Sequence, residues 1–526
     1  MGFAWGIVLV ALATAALRLW GIHWGAPFVY HPDEHFVLHA ALDIVRTGDP
    51  NPHWFEYPSL WIYVEALLVL VLEPFVDAPL TTNHLLTGLG PWDALPEQWP
   101  FVLAGRVATA GMAVAGVVAT GFAGRALFGP RAGLAGAVFL ALAPLHNRSA
   151  HYLLTDVPAA CFVAASLAAC AAARPRWVLA GFLAGLGAGT KYTAGIALVP
   201  ALVLLAGEGW RRETLRHGVW LVLAALLGFL AATPFALFDL PAFLSGLEAQ
   251  RRNYLRGFYY GPNWPWYAAY LFRQGLGPVP TVAAAVGLLW AVTAGIRGLL
   301  RRPGSKGLRL VALALPVLLY YPWVSSYPSR AERNLMVLLP YLCLLAGWVC
   351  DRLSRLPGRE KLGAWVLVAV VALGGATPFR EVVRQNRRFL LPDTRTLALE
   401  WIEANLPEGA KIAREEYTPQ IRPDRYRVVY LWSLAWRPYG WYLSEGVDYL
   451  VASSHIYGRA QGRERLGGEA AREFYRVLEG LPLLREFRPG EGSKGPTIRI
   501  YRVPRRSSAT RERTGAPRPS RKNASR

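Results

Sequence analysis

The sequence opens at residues 1–35 with MGFAWGIVLVALATAALRLWGIHWGAPFVYHPDEH, an apolar stretch of helical length followed by a short polar segment rich in carboxylates and imidazoles. The start of this stretch has no Lys or Arg, and no small-residue cleavage site follows it. Residues 1–22 are therefore interpreted as a first membrane span and not as a signal peptide. The polar segment that follows is expected on the far side of the membrane.

The composition extends this interpretation to most of the chain. Of 526 residues, 53% are hydrophobic and only 17% are charged, which is too apolar for a soluble protein of this length. Apolar runs recur as far as residue 377 and predict a polytopic α-helical membrane protein with about eleven transmembrane helices. The net charge of +21 comes from Lys and Arg in short loops, so membrane lipids and not nucleic acid are the expected partners.

Five short basic loops set the predicted topology. Lys and Arg are retained on the cytoplasmic side of a bacterial inner membrane, so all five loops are expected inside. The loops are Arg125–Arg131, Arg174–Arg176, Arg211–His217, Arg297–Arg309 and Asp351–Lys361. Residues 23–98 then form one long outer loop, in which Leu60–Leu72 is too short for a clear span and is interpreted as a re-entrant or juxtamembrane helix.

The chain divides by composition into three parts. Residues 1–379 form the transmembrane domain, residues 380–504 a small extracytoplasmic α/β domain, and residues 505–526 a basic tail that is predicted to be disordered. In the α/β domain, residues 394–406 are predicted to be helical, and residues 410–414, 427–432, 447–453 and 498–503 are predicted to be strands. The four cysteines lie in apolar runs without a CxxC pair, which indicates neither a disulfide framework nor a zinc site.

Acidic residues are sparse in the transmembrane part, and two groups fall at predicted outer helix ends. Asp33 and Glu34 lie between His31 and His35, directly after the first span. Paired carboxylates beside imidazoles are suited to general-base catalysis or to binding a divalent cation such as Mg²⁺ or Mn²⁺. The structural alternative is that Asp33 simply caps the helix that begins at residue 36.

The second acidic group is Asp156, which follows His151 and Thr155 at the start of another predicted span. Asp156 is also placed as a helix N-terminal residue, so a simple capping role is again the alternative. If both groups face one cavity, Asp33, Glu34 and Asp156 are the candidate catalytic residues. Glu34, His35 and Asp156 are the candidate ligands of a divalent metal cofactor.

Basic residues on the same predicted side include Arg148, Lys191, Arg330 and Arg333. Such residues at headgroup depth are suited to binding the phosphate of a membrane lipid, Arg bidentately and Lys as a point charge. Anchoring to lipid headgroups by snorkelling is the alternative for each of them. The aromatic segment 254–270 is interpreted first as an interfacial belt and second as a surface for stacking on a sugar or a polyprenyl chain.

These residues together resemble a known family. The motifs are His31-Pro32-Asp33-Glu34, Glu56-Tyr57-Pro58-Ser59, Thr155-Asp156-Val157-Pro158, Thr190-Lys191-Tyr192-Thr193, and Arg333 to Pro340. In order and spacing they resemble the GT-C glycosyltransferases, and most closely family 39, which contains the protein O-mannosyltransferases and the lipid A aminoarabinose transferases. The resemblance covers about residues 1–377.

The resemblance implies a GT-C fold and transfer of a hexose or pentose from a polyprenyl-phosphate donor to a lipid, polysaccharide or protein acceptor, with inversion. It implies that Asp33 is the general base with Glu34 beside it, and that Asp156 is the second acidic residue. Lys191 and Arg333 match positions associated with the lipid phosphate. Tyr57 stands where the lipid A enzymes have a Lys, and it is kept with Arg148 among the candidate substrate-binding residues.

Two other functional classes remain open from the sequence. A transporter or flippase is expected to show internal repeats and charges at mid-membrane depth, whereas here the ionisable residues concentrate at helix ends and no repeat is found. A non-catalytic envelope assembly factor would use the C-terminal domain to bind a partner, and its carboxylates would be helix caps. Turnover of a lipid-linked sugar separates both classes from the enzyme.

Overall fold

The computed structural model describes residues 2–81, 93–209, 211–255, 262–301, 306–462 and 468–504. The predicted tail at 505–526 and part of the aromatic segment, residues 256–261, lie outside this range. Two compact units are formed, the first ending at Leu391 and the second beginning at Pro392. The predicted boundary at residue 379 falls earlier because the last helix of the first unit continues to Phe389.

The first unit is a helix bundle. Its helices are α1 (Phe3–Leu19), α2 (Glu34–Thr47), α3 (Leu60–Leu72), α4 (Trp99–Phe128), α5 (Pro130–Leu142), α6 (Pro144–Ser149), α7 (Asp156–Ala171), α8 (Trp177–Ala188), α9 (Leu198–Ala206), α10 (Arg212–Ala232), α11 (Phe235–Phe238), α12 (Leu240–Leu255), α13 (Asn263–Tyr270), α14 (Pro278–Arg301), α15 (Lys306–Ser326), α16 (Leu339–Leu353) and α17 (Glu360–Phe389). Short 3₁₀ turns include Tyr192–Ala197 and Glu332–Leu338.

The polytopic membrane class is confirmed by the lengths and composition of these helices. Six of them, among the described residues, are long and apolar enough to cross a bilayer, and five shorter apolar helices fall at the other predicted span positions. The helix Leu60–Leu72 also forms at its predicted position. Large apolar side chains such as Trp220, Leu227, Leu289 and Trp365 are exposed on the bundle, as expected for surfaces in contact with lipid.

The centre of the bundle is α16, whose apolar residues are almost all buried. It packs against α5 and α14, and glycine allows the close approach: a Cβ atom at Gly347 would collide with the backbone of α5. Gly129, with φ of 106°, separates α4 from α5 in a conformation that L-residues rarely adopt. The long helix thus turns back on itself without a longer loop.

A glycine seam joins α8 to α10. Gly181 and Gly185 on α8 and Gly228 on α10 each face the partner helix so closely that an added Cβ atom would overlap a backbone carbonyl oxygen. Small residues at such crossings let two helix backbones approach each other in a membrane, where apolar surfaces alone do not favour helix pairing over lipid. The seam fixes the end of α8, which leads directly to Lys191.

The second unit is a five-stranded mixed sheet with helices. Its elements are α18 (Thr394–Asn405), β1 (Lys411–Glu415), β2 (Arg427–Leu431), α19 (Tyr439–Ser444), β3 (Tyr449–Ser453), α20 (Ser454–Gln461), α21 (Gly468–Glu479), β4 (Leu483–Phe487) and β5 (Ile498–Arg502). The strand order is β2-β1-β3-β5-β4. The first three strands are parallel, and β5 is antiparallel to both of its neighbours. The predicted α/β class is confirmed for this region, and the predicted strands are found within two residues.

A buried carboxylate, that of Glu415, lies at the end of β1 in the parallel part of this sheet. Glu415 ends β1 and accepts hydrogen bonds from the backbone N–H groups of Ser453 at 2.8 Å and Leu434 at 3.0 Å, and from the Tyr475 hydroxyl at 2.6 Å. Burial nevertheless raises the pKa of Glu415 from 4.5 to about 7, against the effect of these donors.

We expect this carboxyl group to make the domain less stable as the pH rises. The folded state binds more protons than the unfolded state between pH 4.5 and 7, so the unfolding free energy falls across that window, by about 3 kcal/mol for this shift. Hydrogen exchange of peptides from β1 and β3, corrected for intrinsic rates, measures the change. Glu415→Gln is expected to remove the pH dependence; a variant with the same slope as the wild-type protein would contradict the assignment.

Candidate active site

The loop after α1 presents Asp33 to the site. Asp33 occupies the N-cap position of α2, but its side chain makes no capping hydrogen bond and instead forms an ion pair with Arg333. The backbone N–H of Asp33 donates to Nδ1 of His31 at 3.2 Å. Burial, and next the charge of Arg333, hold the pKa of His31 well below its usual value, so this imidazole is neutral and serves as an acceptor. The geometry favours a functional role for Asp33 over simple capping.

Glu34 is placed very differently from its neighbour. Both of its oxygens accept from Arg106, from Nε and from Nη2 at 2.7 Å each, and Oε1 also accepts from the Leu153 N–H at 2.8 Å. Neither side chain of this ion pair is exposed. The Arg106 guanidinium also lies over the rings of Trp24 and Trp99, at 4.6 and 4.8 Å from their centroids. This geometry favours a positioning role for Glu34 over the predicted catalytic and metal-binding roles.

The second predicted carboxylate, Asp156, forms a buried ion pair with Lys191. Asp156 is the first residue of α7, whereas Lys191 lies between α8 and the 3₁₀ turn Tyr192–Ala197. The predicted residues Asp156 and Lys191, 35 positions apart, are thus brought together. In a simple helix cap, the carboxylate oxygen of Asp156 would accept from backbone N–H groups. Here Oδ1 accepts from the Lys191 ammonium.

The segment before α3 is held against the same elements. The Leu60 N–H donates to the Gly189 carbonyl oxygen at 3.0 Å, and the Tyr192 hydroxyl donates to the Phe55 carbonyl oxygen at 2.8 Å. Tyr57, between these two anchors, lies close enough to Asp156 that the carboxylate, after burial, contributes to raising the pKa of the phenol. The backbone on either side of Tyr57 is therefore held against the segment that carries Lys191.

The 3₁₀ turn Glu332–Leu338 connects the two ion pairs. Arg333 contacts Asp33, and the side-chain oxygen of the next residue, Asn334, accepts from the Tyr254 hydroxyl at 3.2 Å. Burial raises the pKa of Tyr254, on which the charge of Lys191 has a lowering effect and that of Asp156 a raising one. The same 3₁₀ turn packs against α7, the helix that begins at Asp156, so the elements that carry the two predicted carboxylate groups lie in one neighbourhood.

Arg148 and Glu332 close one side of this neighbourhood with an ion pair. Arg148 also donates to the Tyr270 hydroxyl at 3.2 Å. Both charged side chains are about one-third exposed, so the pair is accessible from solvent. Arg330, which was grouped with Arg148 in the sequence, instead donates to Asn263 and lies 5.8 Å from the centroid of Trp266.

The predicted metal ligands are not assembled into a site. In the described part of the chain no group of three or more His, Cys, Asp or Glu side chains is arranged to hold a metal ion. Glu34 is committed to Arg106 and Asp156 to Lys191, while His35 is buried with its ring 5.9 Å from that of His39. The residues present therefore do not fit the metal that the sequence suggested.

Three further charged residues near the site, Arg106, Glu332 and Glu65, were not predicted from the sequence. Arg106 and Glu65 each interrupt an apolar helix, and a lone charge in such a helix is itself a signal of a buried partner or a functional group. Glu65 on α3 is fully buried, with neither carboxylate oxygen hydrogen-bonded to any residue the structure describes. Its side chain lies against Gly105, next to Arg106, where a larger residue would not fit. Glu332 carried no signal beyond its position beside Arg333.

Similarity to known proteins supports the membrane-protein fold described above. Residues 99–238 match the sequence model of the family described as dolichyl-phosphate-mannose-protein mannosyltransferase. No curated protein matches the chain significantly by sequence.

Among solved structures, the apo oligosaccharyltransferase of Archaeoglobus fulgidus aligns with a TM-score of 0.58 at 10% identity, covering 91% of this chain and 73% of that protein. ArnT from Cupriavidus metallidurans bound to undecaprenyl phosphate aligns with a TM-score of 0.54 at 15% identity, covering 95% of this chain and 98% of that protein. These similarities confirm the resemblance drawn from the sequence motifs. The chain is a membrane protein with the fold of the GT-C glycosyltransferases.

Proposed function

We propose that the protein is an inverting glycosyltransferase that moves a sugar from a polyprenyl-phosphate donor to an acceptor hydroxyl, with Asp33 as general base. The observation that carries the proposal is the convergence of two carboxylate–cation pairs, Asp33–Arg333 and Asp156–Lys191, from distant parts of the chain. Structures of the same fold support the donor class, since one of ArnT is bound to undecaprenyl phosphate and one of the archaeal AglB is in complex with a dolichol-phosphate. The active site is proposed to face the extracytoplasmic side.

The reaction needs one proton acceptor and several cations. Asp33 takes the proton of the acceptor hydroxyl while the oxygen of that hydroxyl forms a bond to the anomeric carbon. The bond between that carbon and the phosphate oxygen breaks, and its electron pair leaves with the lipid phosphate. A single displacement of this kind inverts the anomeric centre, and it requires no nucleophile from the protein.

Accessibility favours Asp33 over Glu34 as the proposed base. The Asp33 side chain is 17% exposed, whereas that of Glu34 is fully buried with its oxygens bonded to Arg106. A base must approach within hydrogen-bonding distance of the acceptor hydroxyl, which only Asp33 of this adjacent pair can do. Glu34 is proposed to fix the start of α2 and thereby the direction in which Asp33 points.

The cations are proposed to bind the donor phosphate. Arg333 presents a half-buried guanidinium suited to bidentate contact with phosphate oxygens, and Lys191 supplies a compact charge from the wall of the site. Charge that develops on the leaving phosphate is then stabilised by groups already in place. Arg148 and Tyr57 are proposed to contact the substrates from either side of this centre. No step is assigned to a metal.

The direct test is turnover of the purified protein in detergent or nanodiscs with a polyprenyl-phosphate sugar and a panel of envelope lipids, polysaccharides and peptides. Release of free polyprenyl phosphate with glycosylation of one acceptor supports the enzyme. Movement of the lipid-linked sugar across a vesicle membrane without its cleavage would identify a transporter. Binding of an envelope protein without either activity would identify an assembly factor.

Replacement of Lys191 is expected to weaken donor binding. Because Lys191→Gln alone leaves the Asp156 carboxylate buried without its partner, the double variant Lys191→Gln/Asp156→Asn removes both charges together. Loss of one charged hydrogen bond to phosphate raises KM for the donor by about tenfold to a hundredfold. Steady-state kinetics with varied donor concentration measures this change.

The matched control for this variant is Lys361→Gln, an exposed lysine at the start of α17. It is expected to keep the wild-type KM. A double variant with unchanged donor KM and reduced melting temperature would show that the Lys191–Asp156 pair only supports the fold.

A further inference from the structure

A cavity of about 460 Å³ lies at the end of the bundle where α4 gives way to α5 and α16 to α17. The residues that line it include Phe128, Arg131, Asp351, Arg355, Leu356 and Glu360. Along α4, Phe128 is about 33 Å from Arg106, the residue that holds Glu34, and a bilayer core is about 30 Å thick. The cavity is therefore at the opposite membrane boundary from the candidate active site, where two of the predicted cytoplasmic basic loops meet.

One side of the cavity presents a carboxylate oxygen that is not satisfied. Asp351 is buried, and its Oδ2 accepts from Nε and Nη2 of Arg355 at 3.1 and 2.6 Å. Its Oδ1 is buried too and has no hydrogen-bond partner among the residues the structure describes. A carboxylate oxygen removed from water without a donor is unfavourable, so this atom is suited to receive a donor from a bound molecule.

The lining also holds two cationic side chains, Arg131 and Arg355, and a second carboxylate, Glu360. Arg131 donates to the backbone carbonyl oxygen of Glu360 at 3.3 Å, and half of the Arg355 side chain is exposed. A guanidinium has five N–H donors, so both arginines keep donors for an anion. Phosphate is the anion that matches this geometry, through two parallel hydrogen bonds to one arginine. Apolar side chains of Phe128 and Leu356 complete the lining.

We propose that this cavity binds the headgroup of a zwitterionic phospholipid with a primary ammonium group, of the phosphoethanolamine class. The ammonium donates to Oδ1 of Asp351, and the phosphodiester accepts from Arg131 and Arg355, which the same cavity holds. A quaternary choline has no N–H to offer, and a phosphoglycerol headgroup has no positive charge for the carboxylate. The cavity volume is within the range of small-molecule sites, about 300–1,000 Å³.

The test compares headgroups that differ by single methyl groups. Delipidated full-length protein is titrated with phosphatidylethanolamine, its N-methyl and N,N-dimethyl derivatives, phosphatidylcholine and phosphatidylglycerol of one acyl composition, and bound lipid is counted by native mass spectrometry. Affinity is expected to fall stepwise with methylation, and phosphatidylcholine to bind about tenfold or more weakly than phosphatidylethanolamine. Equal affinity for these two lipids, or a preference for phosphatidylglycerol, would overturn the proposal.

Variants test whether the headgroup preference comes from this cavity. Asp351→Asn is expected to remove the preference for the primary ammonium, while Arg131→Gln weakens phosphatidylethanolamine and phosphatidylcholine to the same extent. Arg352→Gln, on the same helix but outside the cavity lining, is the control and is expected to change neither. An Asp351→Asn protein that keeps the wild-type preference refutes the site. If that variant does not fold, the methylation series on wild-type protein decides alone.

Discussion

Replacing Asp33 by Asn is expected to lower sugar-transfer turnover by about a hundredfold to ten-thousandfold, the usual contribution of a positioned general base. The substitution keeps the size of the side chain and its ability to accept a hydrogen bond from Arg333, but it removes the group that takes the acceptor proton. Because the proposed base does not bind the donor, KM for the lipid-linked sugar is expected to change much less than kcat. Steady-state kinetics in nanodiscs measures both values.

Asp43→Asn is the matched control for this substitution. Asp43 lies on the same helix, α2, and forms an exposed pair with Arg46 at 2.7 Å, away from the ion pairs of the site. It is expected to retain wild-type turnover. A well-folded Asp33→Asn protein with near wild-type kcat would exclude Asp33 as the base.

Glu34→Gln is expected to lower the stability of the bundle, by about 3–5 kcal/mol, because it leaves the Arg106 charge buried without its partner. Besides Glu34, Arg106 donates to the backbone carbonyl oxygens of Ile22 and Trp24, at 3.1 and 2.8 Å. Loss of the carboxylate charge therefore loosens the loop after α1 as well as α4. Thermal unfolding in detergent, together with hydrogen exchange of residues 20–45, measures the effect.

The expected outcome separates a structural role for Glu34 from a catalytic one. A catalytic glutamate would give a variant that melts like the wild-type protein and has lost turnover. A structural one gives a lower melting temperature, and the double variant Glu34→Gln/Arg106→Gln, with no buried charge, is expected to recover part of the loss. Asp43→Asn, which removes the charge of the exposed pair with Arg46, is expected to change stability by less than about 1 kcal/mol.

Much of the fold follows from the sequence because its signals are local. Apolar runs of helical length and the short basic loops between them located the bundle helices, and short segments typical of strands located β1, β2, β3 and β5. The strand Leu483–Phe487 was missed because the adjacent charges of Arg485 and Glu486 interrupt its apolar residues, and because at the sheet edge its first three residues are exposed, which leaves no alternation of apolar and polar residues. Element boundaries differ by a few residues because helix ends depend on tertiary contacts.

The candidate site was predictable in its residue types but not in its pairings. Asp33, Asp156, Lys191 and Arg333 could be identified from their positions at helix ends. Which cation meets which carboxylate depends on the order in which the helices pack, and the sequence does not contain that order. The adjacent residues Asp33 and Glu34 show most clearly that pairings are not predictable from the sequence. Although they are consecutive, the side chain of Asp33 is directed toward Arg333 and that of Glu34 into the protein, onto Arg106.

The glycine seam between α8 and α10 has a consequence for variants far from any substrate. Lys191 follows directly on α8, so its ammonium is positioned by how tightly that helix lies against its neighbour. A single methyl group added at Gly185, six residues before the lysine, would wedge the two backbones apart. Such a substitution would change no charged or polar group, yet it would misalign the ammonium that we propose binds the donor phosphate.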